Sequence, residues 1–348
     1  MGDKKQVLRA VLFSLTLIVT LVRSAAAAPS EAARVDLSAD QLSFAAGESV
    51  VVRVAITNPG SHPIKVLKWY TPFDDVEEPL FTVRRNGVPV EFVGPHYKRP
   101  APTGSDYVVL TGGESLVREV DLGAYYNLST TGTYTVSYQV QSWNLFSERG
   151  SAAKLAASLQ SGEIVLFAEG RPSVPPALTG GATFNKCNAS QEGELLSARA
   201  GASSYADAAL AYLKSGVQGP RYTTWFGAVS TANYSAVRNN FTQISTAMSS
   251  AAVQFDCGCK KPYFAYVYAN QPYNIFLCKA FWTAPMTGAD SKAGTLVHEM
   301  SHFTVVAGTE DWVYGQAGAK NLATTDPAKA ISNADNHEYF AENAAALP

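Results

Sequence analysis

Charge is scarce in this sequence, and its scarcity excludes several classes of protein. Only 16% of the 348 residues are Asp, Glu, Lys or Arg, and the formal net charge is −2. No basic run interleaved with aromatic residues occurs, so we expect no nucleic-acid partner. Hydrophobic residues make up 47%, an ordinary globular content, and the chain is long enough for two domains.

Long hydrophobic runs are missing as well. The longest candidate is the 13-residue run over 10–22, shorter than the roughly 20 residues that a membrane-spanning helix needs. Lysine and arginine precede this run and small residues follow it, which predicts a secretory signal peptide over residues 1–28, cut near Ala27 or Ala28. We therefore expect a secreted, extracellular protein that does not engage a membrane.

Cysteine is absent from the first half of the chain. The four cysteines are Cys187, Cys257, Cys259 and Cys278, and an even number in an exported chain predicts two disulfides. The second and third are too close to pair easily with each other, so two connectivities remain. We favour Cys187–Cys257 with Cys259–Cys278. The alternative, a set of zinc thiolates, does not match the usual spacing of structural zinc sites.

The region 29–170 has the pattern of an all-β fold. Alternating segments separated by turn signals lie at 49–56, 80–84, 107–110 and 132–140. Short strands with such turns predict an immunoglobulin-like sandwich. Its two histidines, His62 and His96, lie beside prolines and are expected on the surface.

The pattern changes after a Pro/Gly-rich linker at 171–182. Beyond it, apolar spacing predicts helices over 190–215, 234–252 and 290–306, with a hairpin formed by 263–268 and 273–278. The first of these helices starts with an imperfect capping box at Ser190.

The third helix carries His298-Glu299-Met300-Ser301-His302, an H-E-x-x-H motif. Residues four apart share a helix face, so both imidazoles can reach one Zn²⁺ with the glutamate beside it. Such a string also arises by chance, so the surrounding residues decide. Val305 and Gly308 exclude the metzincin extension, and no glutamate stands where a thermolysin-like site needs one. Asp311 is therefore the best third ligand.

The eight residues 308–315 follow the motif as G-T-x-D-x-x-Y-G. With H-E-x-x-H, this resembles the signature of the deuterolysin-type aspzincins, and within them the peptidyl-Lys metalloendopeptidases. The resemblance covers 183–348 and implies a mainly α (α+β) zincin domain with a small β-hairpin or sheet. It implies one Zn²⁺ per catalytic domain, held by His298, His302 and Asp311.

The resemblance also implies roles for the neighbouring side chains. Glu299 is the expected general base toward zinc-activated water, and Tyr314 the expected donor to the oxyanion, with aromatic packing as the alternative for the tyrosine. Asp335 and Glu338 are the expected pair that binds a substrate lysine at P1′. The alternative for Asp335 is a helix cap with Glu338 in the first turn. No role is assigned to His337.

These expectations combine into a secreted zinc metalloendopeptidase that hydrolyses protein substrates on the amino side of lysine. Residues 29–170 are then a propeptide and intramolecular inhibitor, released near Ala182–Thr183, with a lysine such as Lys65 or Lys68 filling the acidic pocket. Two alternatives remain: a deuterolysin-type endopeptidase of broader specificity, and an inactive zinc-binding or adhesive secreted protein.

Overall fold

The computed structural model describes residues 33–46, 48–147, 157–170 and 181–347. The predicted signal peptide lies outside these residues, and of the predicted linker only Gly181 and Ala182 lie inside them. Among the described residues, no helix combines the length and apolar character needed to cross a membrane.

The N-terminal region consists of strands because its apolar side chains alternate. In one strand Val52, Val54 and Ile56 are buried while Arg53 between them is exposed. The strands are β1 (Arg34–Ser38), β2 (Ser43–Phe44), β3 (Val51–Thr57), β4 (Ile64–Leu67), β5 (Phe81–Arg85), β6 (Val88–Pro89), β7 (Pro95–Lys98), β8 (Tyr107–Leu110), β9 (Ser115–Asp121), β10 (Gly132–Ser142), β11 (Ala157–Gln160) and β12 (Ile164–Ala168).

Most of these strands pair among themselves. They form a β1-β3-β9 sheet, a β2-β12-β10-β5-β6 sheet with β11 on β10, and a β4-β8 pair. Side chains from these sheets share one hydrophobic cluster. The four predicted segments match β3, β5, β8 and β10, whereas the immunoglobulin-like arrangement stays a prediction.

The C-terminal region mixes helices with strands around a second hydrophobic cluster. Its elements are β13 (Ala182–Asn185), α1 (Ala189–Lys214), α2 (Pro220–Phe226), α3 (Thr231–Ser250), β14 (Val253–Asp256), β15 (Ala265–Tyr268), β16 (Asn274–Leu277), α4 (Lys279–Thr283), α5 (Lys292–His302), α6 (Gly315–Thr325), α7 (Pro327–Ala330) and α8 (Ala334–Glu342). The three predicted helices correspond to α1, α3 and α5, and the predicted hairpin is the antiparallel pair β15–β16.

Two helix ends differ from prediction. Helix α1 is capped by Asn188, whose side chain and that of Gln191 form a complete capping box, rather than by Ser190. Helix α5 ends at His302 instead of near 306, because Phe303 adopts an extended conformation with φ −57° and ψ 128°. The chain then turns at Gly308, where φ is +58°.

One strand of the N-terminal region leaves its own sheets. Strand β7 forms the edge of a sheet ordered β13-β14-β16-β15-β7 and runs antiparallel to β15. Val267 pairs with His96, and Ala265 pairs with Lys98. Residues 95–98 are thereby brought over helix α5, with consequences for the site described below.

The disulfide pairing favoured from the sequence is confirmed. Cys187 bonds Cys257, and Cys259 bonds Cys278. The first bond ties the start of α1 to the end of β14, and the second joins the loop after β14 to the end of β16. Both disulfides therefore brace the sheet that carries β7.

Two glycines with nearly the same positive φ give a test of helix packing. Gly227, after α2, has φ +75°, and Gly216, after α1, has φ +77°. A Cβ on Gly227 would collide with the Ala323 carbonyl of α6, whereas one on Gly216 meets nothing within 4 Å. We expect Gly216→Ala to cost roughly 1 kcal/mol for the positive φ. Gly227→Ala should cost about 1–3 kcal/mol more because the backbone must move. Equal thermal unfolding midpoints for the two variants would contradict this.

Candidate zinc site

Helix α5 holds both histidines of the motif in the protein interior. All eleven of its residues are buried, and Ser291 caps it by accepting a hydrogen bond from the Gly294 backbone amide. The rings of His298 and His302 lie one turn apart with centroids separated by 4.8 Å. Asp311 reaches them from the turn after the helix: its Oδ1 is 3.2 Å from His298 Nε2, and its Oδ2 is 3.4 Å from His302 Nε2.

These separations fit a tetrahedral zinc ion. Zinc bonds of about 2.0–2.2 Å in tetrahedral geometry separate the ligand atoms by about 3.3 Å. Both Nε2 atoms and both Asp311 oxygens are buried, and none has a hydrogen-bond partner among the described residues. Buried polar atoms without partners are rare, and a metal ion would satisfy all of them. His298, His302 and Asp311 are therefore suited to hold zinc.

The second nitrogen of each histidine faces an acceptor. His302 Nδ1 lies 2.8 Å from the Thr309 carbonyl oxygen, and His298 Nδ1 lies 2.9 Å from Asp335 Oδ1. The Thr309 carbonyl fixes the His302 tautomer that leaves Nε2 free for a metal, while Asp335 lies at ion-pair distance from His298. Burial also lowers the pKa of His302 to about 4, so its imidazole is neutral at ordinary pH.

Glu299 lies between the two histidines and is fully buried. Burial raises the pKa of its carboxyl well above the usual range, and the nearby His298 opposes that increase. A carboxylate that has a raised pKa and lies beside a candidate metal site is suited to accept a proton.

The two predicted lysine-binding acids form a buried pocket, and a lysine of the N-terminal region occupies it. Lys98 Nζ is 2.7 Å from Glu338 Oε2, 3.1 Å from Asp335 Oδ1 and 3.4 Å from Asp290 Oδ1. The rings of Phe264 and Tyr339 flank the ammonium at 5.5 and 5.3 Å. Burial alone would lower the pKa of Lys98, but Asp335 and Glu338 raise it well above its usual value.

The identity of this lysine corrects a prediction. Lys65 is exposed and Lys68 is half-buried, and neither is the residue in the acidic pocket. The predicted exposure of His96 is also wrong, because only 4% of it is exposed. Both errors have one cause, since strand β7 leaves its neighbours in sequence to pair with a strand 170 residues later.

Asp290 was not singled out from the sequence. It precedes the cap of α5, and its Oδ1 accepts a hydrogen bond of 2.7 Å from the Tyr339 hydroxyl. Its position in a loop before the zinc helix was the available signal. The pocket thus contains a third carboxylate.

Two further residues considered from the sequence also lie in helix α8. Asp335 is in its first turn but does not cap it. His337 is buried, and its Nδ1 lies 2.9 Å from the Asn333 carbonyl oxygen.

Tyr314 is engaged by the N-terminal region. Its hydroxyl donates to Glu78 Oε1 at 2.5 Å and accepts from Arg99, and its ring lies edge-on to Trp69 with centroids 5.4 Å apart. The tyrosine belongs to the hydrophobic cluster of the N-terminal strands. Its hydroxyl is therefore bound to this region's side chains.

Known proteins resemble this chain closely. A family model described as "Lysine-specific metallo-endopeptidase" matches residues 211–342. An extracellular protease of Aeromonas hydrophila is 41% identical over 344 residues, covering 94% of this chain and 97% of that protein. A peptidyl-Lys metalloendopeptidase of Grifola frondosa is 37% identical, covering 84% and 87% respectively.

The chain belongs to the aspzincin family of metalloendopeptidases. A solved zinc peptidase from Grifola frondosa is 49% identical, with a TM-score of 0.45, and covers 47% of this chain and 100% of that one. This aspzincin is accordingly an endopeptidase of a zinc-dependent family, acting on protein substrates. The resemblance inferred from the H-E-x-x-H and G-T-x-D-x-x-Y-G motifs is confirmed.

Zinc content and turnover together distinguish the predicted roles of His302 and Glu299 on α5. His302→Ala removes a predicted ligand, so we expect the zinc bound per chain to fall at least tenfold. Glu299→Gln keeps all three predicted ligands and should keep its zinc while losing at least about 100-fold in turnover, the usual contribution of a general base. Metal analysis and peptide hydrolysis of the enzyme cleaved within 171–180 check both, with Glu192→Gln on α1 as the control. Full zinc in His302→Ala, or full turnover in Glu299→Gln, would contradict the assignments.

Proposed function

We propose that this protein is a secreted zinc endopeptidase that cuts peptide bonds on the amino side of lysine. In this proposal His298, His302 and Asp311 bind one zinc ion. Glu299 acts as the general base and Tyr314 as the oxyanion donor. Asp335 and Glu338 bind the lysine at P1′, with Asp290 as a third acid.

The observation that carries the proposal is Lys98 in the acidic pocket. An ammonium group lies within 3.4 Å of three carboxylates, next to the candidate zinc ligands. The chain that delivers it is an extended strand on the edge of β15, with backbone pairing of the kind that many peptide-binding proteins use. Lys98 therefore supports the view that the pocket accepts a substrate lysine.

The backbone beside Lys98 supports cleavage on the amino side. Burial raises the pKa of the Glu299 carboxyl, and Lys98, through its charge and its backbone amide, lowers it again. That amide belongs to the Tyr97–Lys98 peptide bond. This bond corresponds in position to the bond on the amino side of a substrate lysine. In this proposal Glu299 protonates the amine that leaves when this bond is cut.

The chemistry divides among the side chains. A zinc ion held by His298, His302 and Asp311 would supply the Lewis acidity that activates water and polarises the scissile carbonyl. Glu299 takes the proton of the attacking water and then passes it to the nitrogen of the departing lysine. Tyr314, once released from Glu78 and Arg99, donates its hydroxyl hydrogen to the developing oxyanion.

The geometry of the pocket favours lysine over arginine. Three carboxylate oxygens surround a single nitrogen, which matches an ammonium with three donors. A planar guanidinium is larger and presents its donors as a fork. Neutral substrate side chains are also disfavoured, because the negative charges of the buried acids would then have no cation to pair with.

The N-terminal region has its own role in the proposal. Residues 29–170 are a propeptide that keeps the enzyme as a zymogen, because Lys98 occupies the substrate pocket and Arg99 engages Tyr314. Cleavage in the 171–182 linker, near Ala182–Thr183, then yields the catalytic domain 183–348. Residues 1–28 direct export, in line with a relative named as an extracellular protease.

Glu338→Gln tests the pocket in the enzyme activated by cleavage within 171–180. Losing one charge-assisted contact of about 1.5–3 kcal/mol should lower the preference for lysine over alanine at P1′ about 10- to 100-fold. The ratio of kcat/KM for two matched peptides measures it, since damage to the metal site lowers both. Glu192→Gln on α1 is the control. An unchanged ratio, or no lysine preference in the unaltered enzyme, favours the broader deuterolysin-type specificity.

Lys98→Met tests the proposed inhibition. A specific protease site placed within 171–180 allows the same molecule to be assayed before and after cleavage. We expect the uncut chain to hydrolyse a lysyl peptide at least tenfold more slowly than the cut chain. Lys98→Met should reduce that difference, because it leaves the pocket acids unpaired and weakens the contact. The control is Lys65→Met. Equal rates before and after cleavage in the unaltered protein would rule out a zymogen.

A further inference from the structure

We propose that His96 is a fourth zinc ligand in the uncleaved chain, so that the propeptide closes the metal as well as the substrate pocket. The inference rests on the zinc site of the proposed function. Lys98 blocks the substrate pocket. His96 would block a second position, the one on the metal where water and the substrate carbonyl must bind.

The strand geometry directs His96 toward the metal site. Alternate side chains of a β-strand point to the same face, so His96 and Lys98 share a face while Tyr97 points the other way. Lys98 reaches the acids beside α5, and the Tyr97 ring instead contacts Tyr266 at 5.0 Å. The pairing of β7 with β15 therefore presents an imidazole and an ammonium to the catalytic helix together.

The contacts of His96 match this direction. Its ring stacks on that of His302 with centroids 4.7 Å apart and planes 30° apart. One ligand atom from each of His96, His302 and Asp311 lies within 4.8 Å of the other two. Tetrahedral zinc needs about 3.3 Å between such atoms, so the imidazole of His96 must move by up to about 1.5 Å relative to His302 and Asp311 to share their metal ion.

Glu310 completes the arrangement. Its Oε2 lies 3.8 Å from His96 Nδ1, too far for a hydrogen bond, but close enough to accept one if the ring moves toward it while the other nitrogen binds the metal. His96 is 4% exposed and Phe92 packs edge-on against it at 5.4 Å, so the imidazole stays beside the candidate metal site rather than in solvent. Three imidazoles and one carboxylate make a closed site, whereas catalytic zinc sites keep one position open.

Removal of strand β7 would free the metal site and the lysine pocket in one step. His96 and Lys98 belong to the same four-residue strand, which holds its position through backbone pairs with β15. Once this strand departs, the fourth position and the lysine pocket become available together. A bound lysyl substrate would then supply the ammonium but no imidazole, which distinguishes it from the propeptide.

The test measures coordination rather than activity. Zinc X-ray absorption of the uncut, unaltered chain should fit three imidazoles, and a fit to two would overturn the proposal. A chain without bound zinc would refute the proposed metal site itself, and this inference with it.

A second measurement uses cobalt in the uncut chain. The visible spectrum of the Co²⁺-loaded protein should not respond to added azide, because His96 closes the site. His96→Ala should give a different spectrum that shifts with azide, and His62→Ala should behave as the unaltered chain. An azide response in the unaltered chain equal to that of His96→Ala, or identical spectra for the two, would overturn the proposal.

Discussion

The ion pairing of Lys98 is the interaction on which the arrangement of the molecule depends. Moving an ammonium or a carboxylate out of water costs several kcal/mol per ion, so neither is tolerated alone in a protein interior. Lys98, Asp335 and Glu338 are all fully buried. The N-terminal region supplies the cation and the C-terminal region supplies the acids, so each depends on the other in the uncleaved chain. In the proposed function a substrate lysine replaces Lys98 and restores the same pairing of charges in the pocket.

This interaction connects the pocket to the candidate metal site. Asp335 lies 3.1 Å from Lys98 Nζ and 2.9 Å from His298 Nδ1, so one carboxylate faces both the ammonium and a candidate zinc ligand. Its other oxygen accepts a hydrogen bond from the Gly315 amide, next to Tyr314. In the proposed function, binding of a lysine and orientation of a candidate metal ligand are therefore coupled through the Asp335 side chain.

The sequence predicted what depends on short spacing. Two histidines one helical turn apart and an aspartate after a glycine turn can be recognised from local sequence, and the structure brings the Asp311 carboxylate within 3.4 Å of Nε2 of both histidines. Lys98 gives no such signal, because its partner Asp335 lies 237 residues away and nothing in the strand pattern indicates exchange between sheets. His96 was misread for the same reason. Helix α5 ends at His302, and the chain then turns so that Asp311 returns to the two histidines. The apolar spacing that predicted the helix does not show where this turn begins.

The central claim is that the acidic pocket recognises lysine and positions the bond on its amino side. It is tested most directly by digesting one denatured protein with the enzyme after cleavage within 171–180 and identifying the peptides by mass spectrometry. The account predicts that nearly all new N-termini are lysine. New N-termini spread over many residue types, or lysine found at the new C-termini instead, would contradict it.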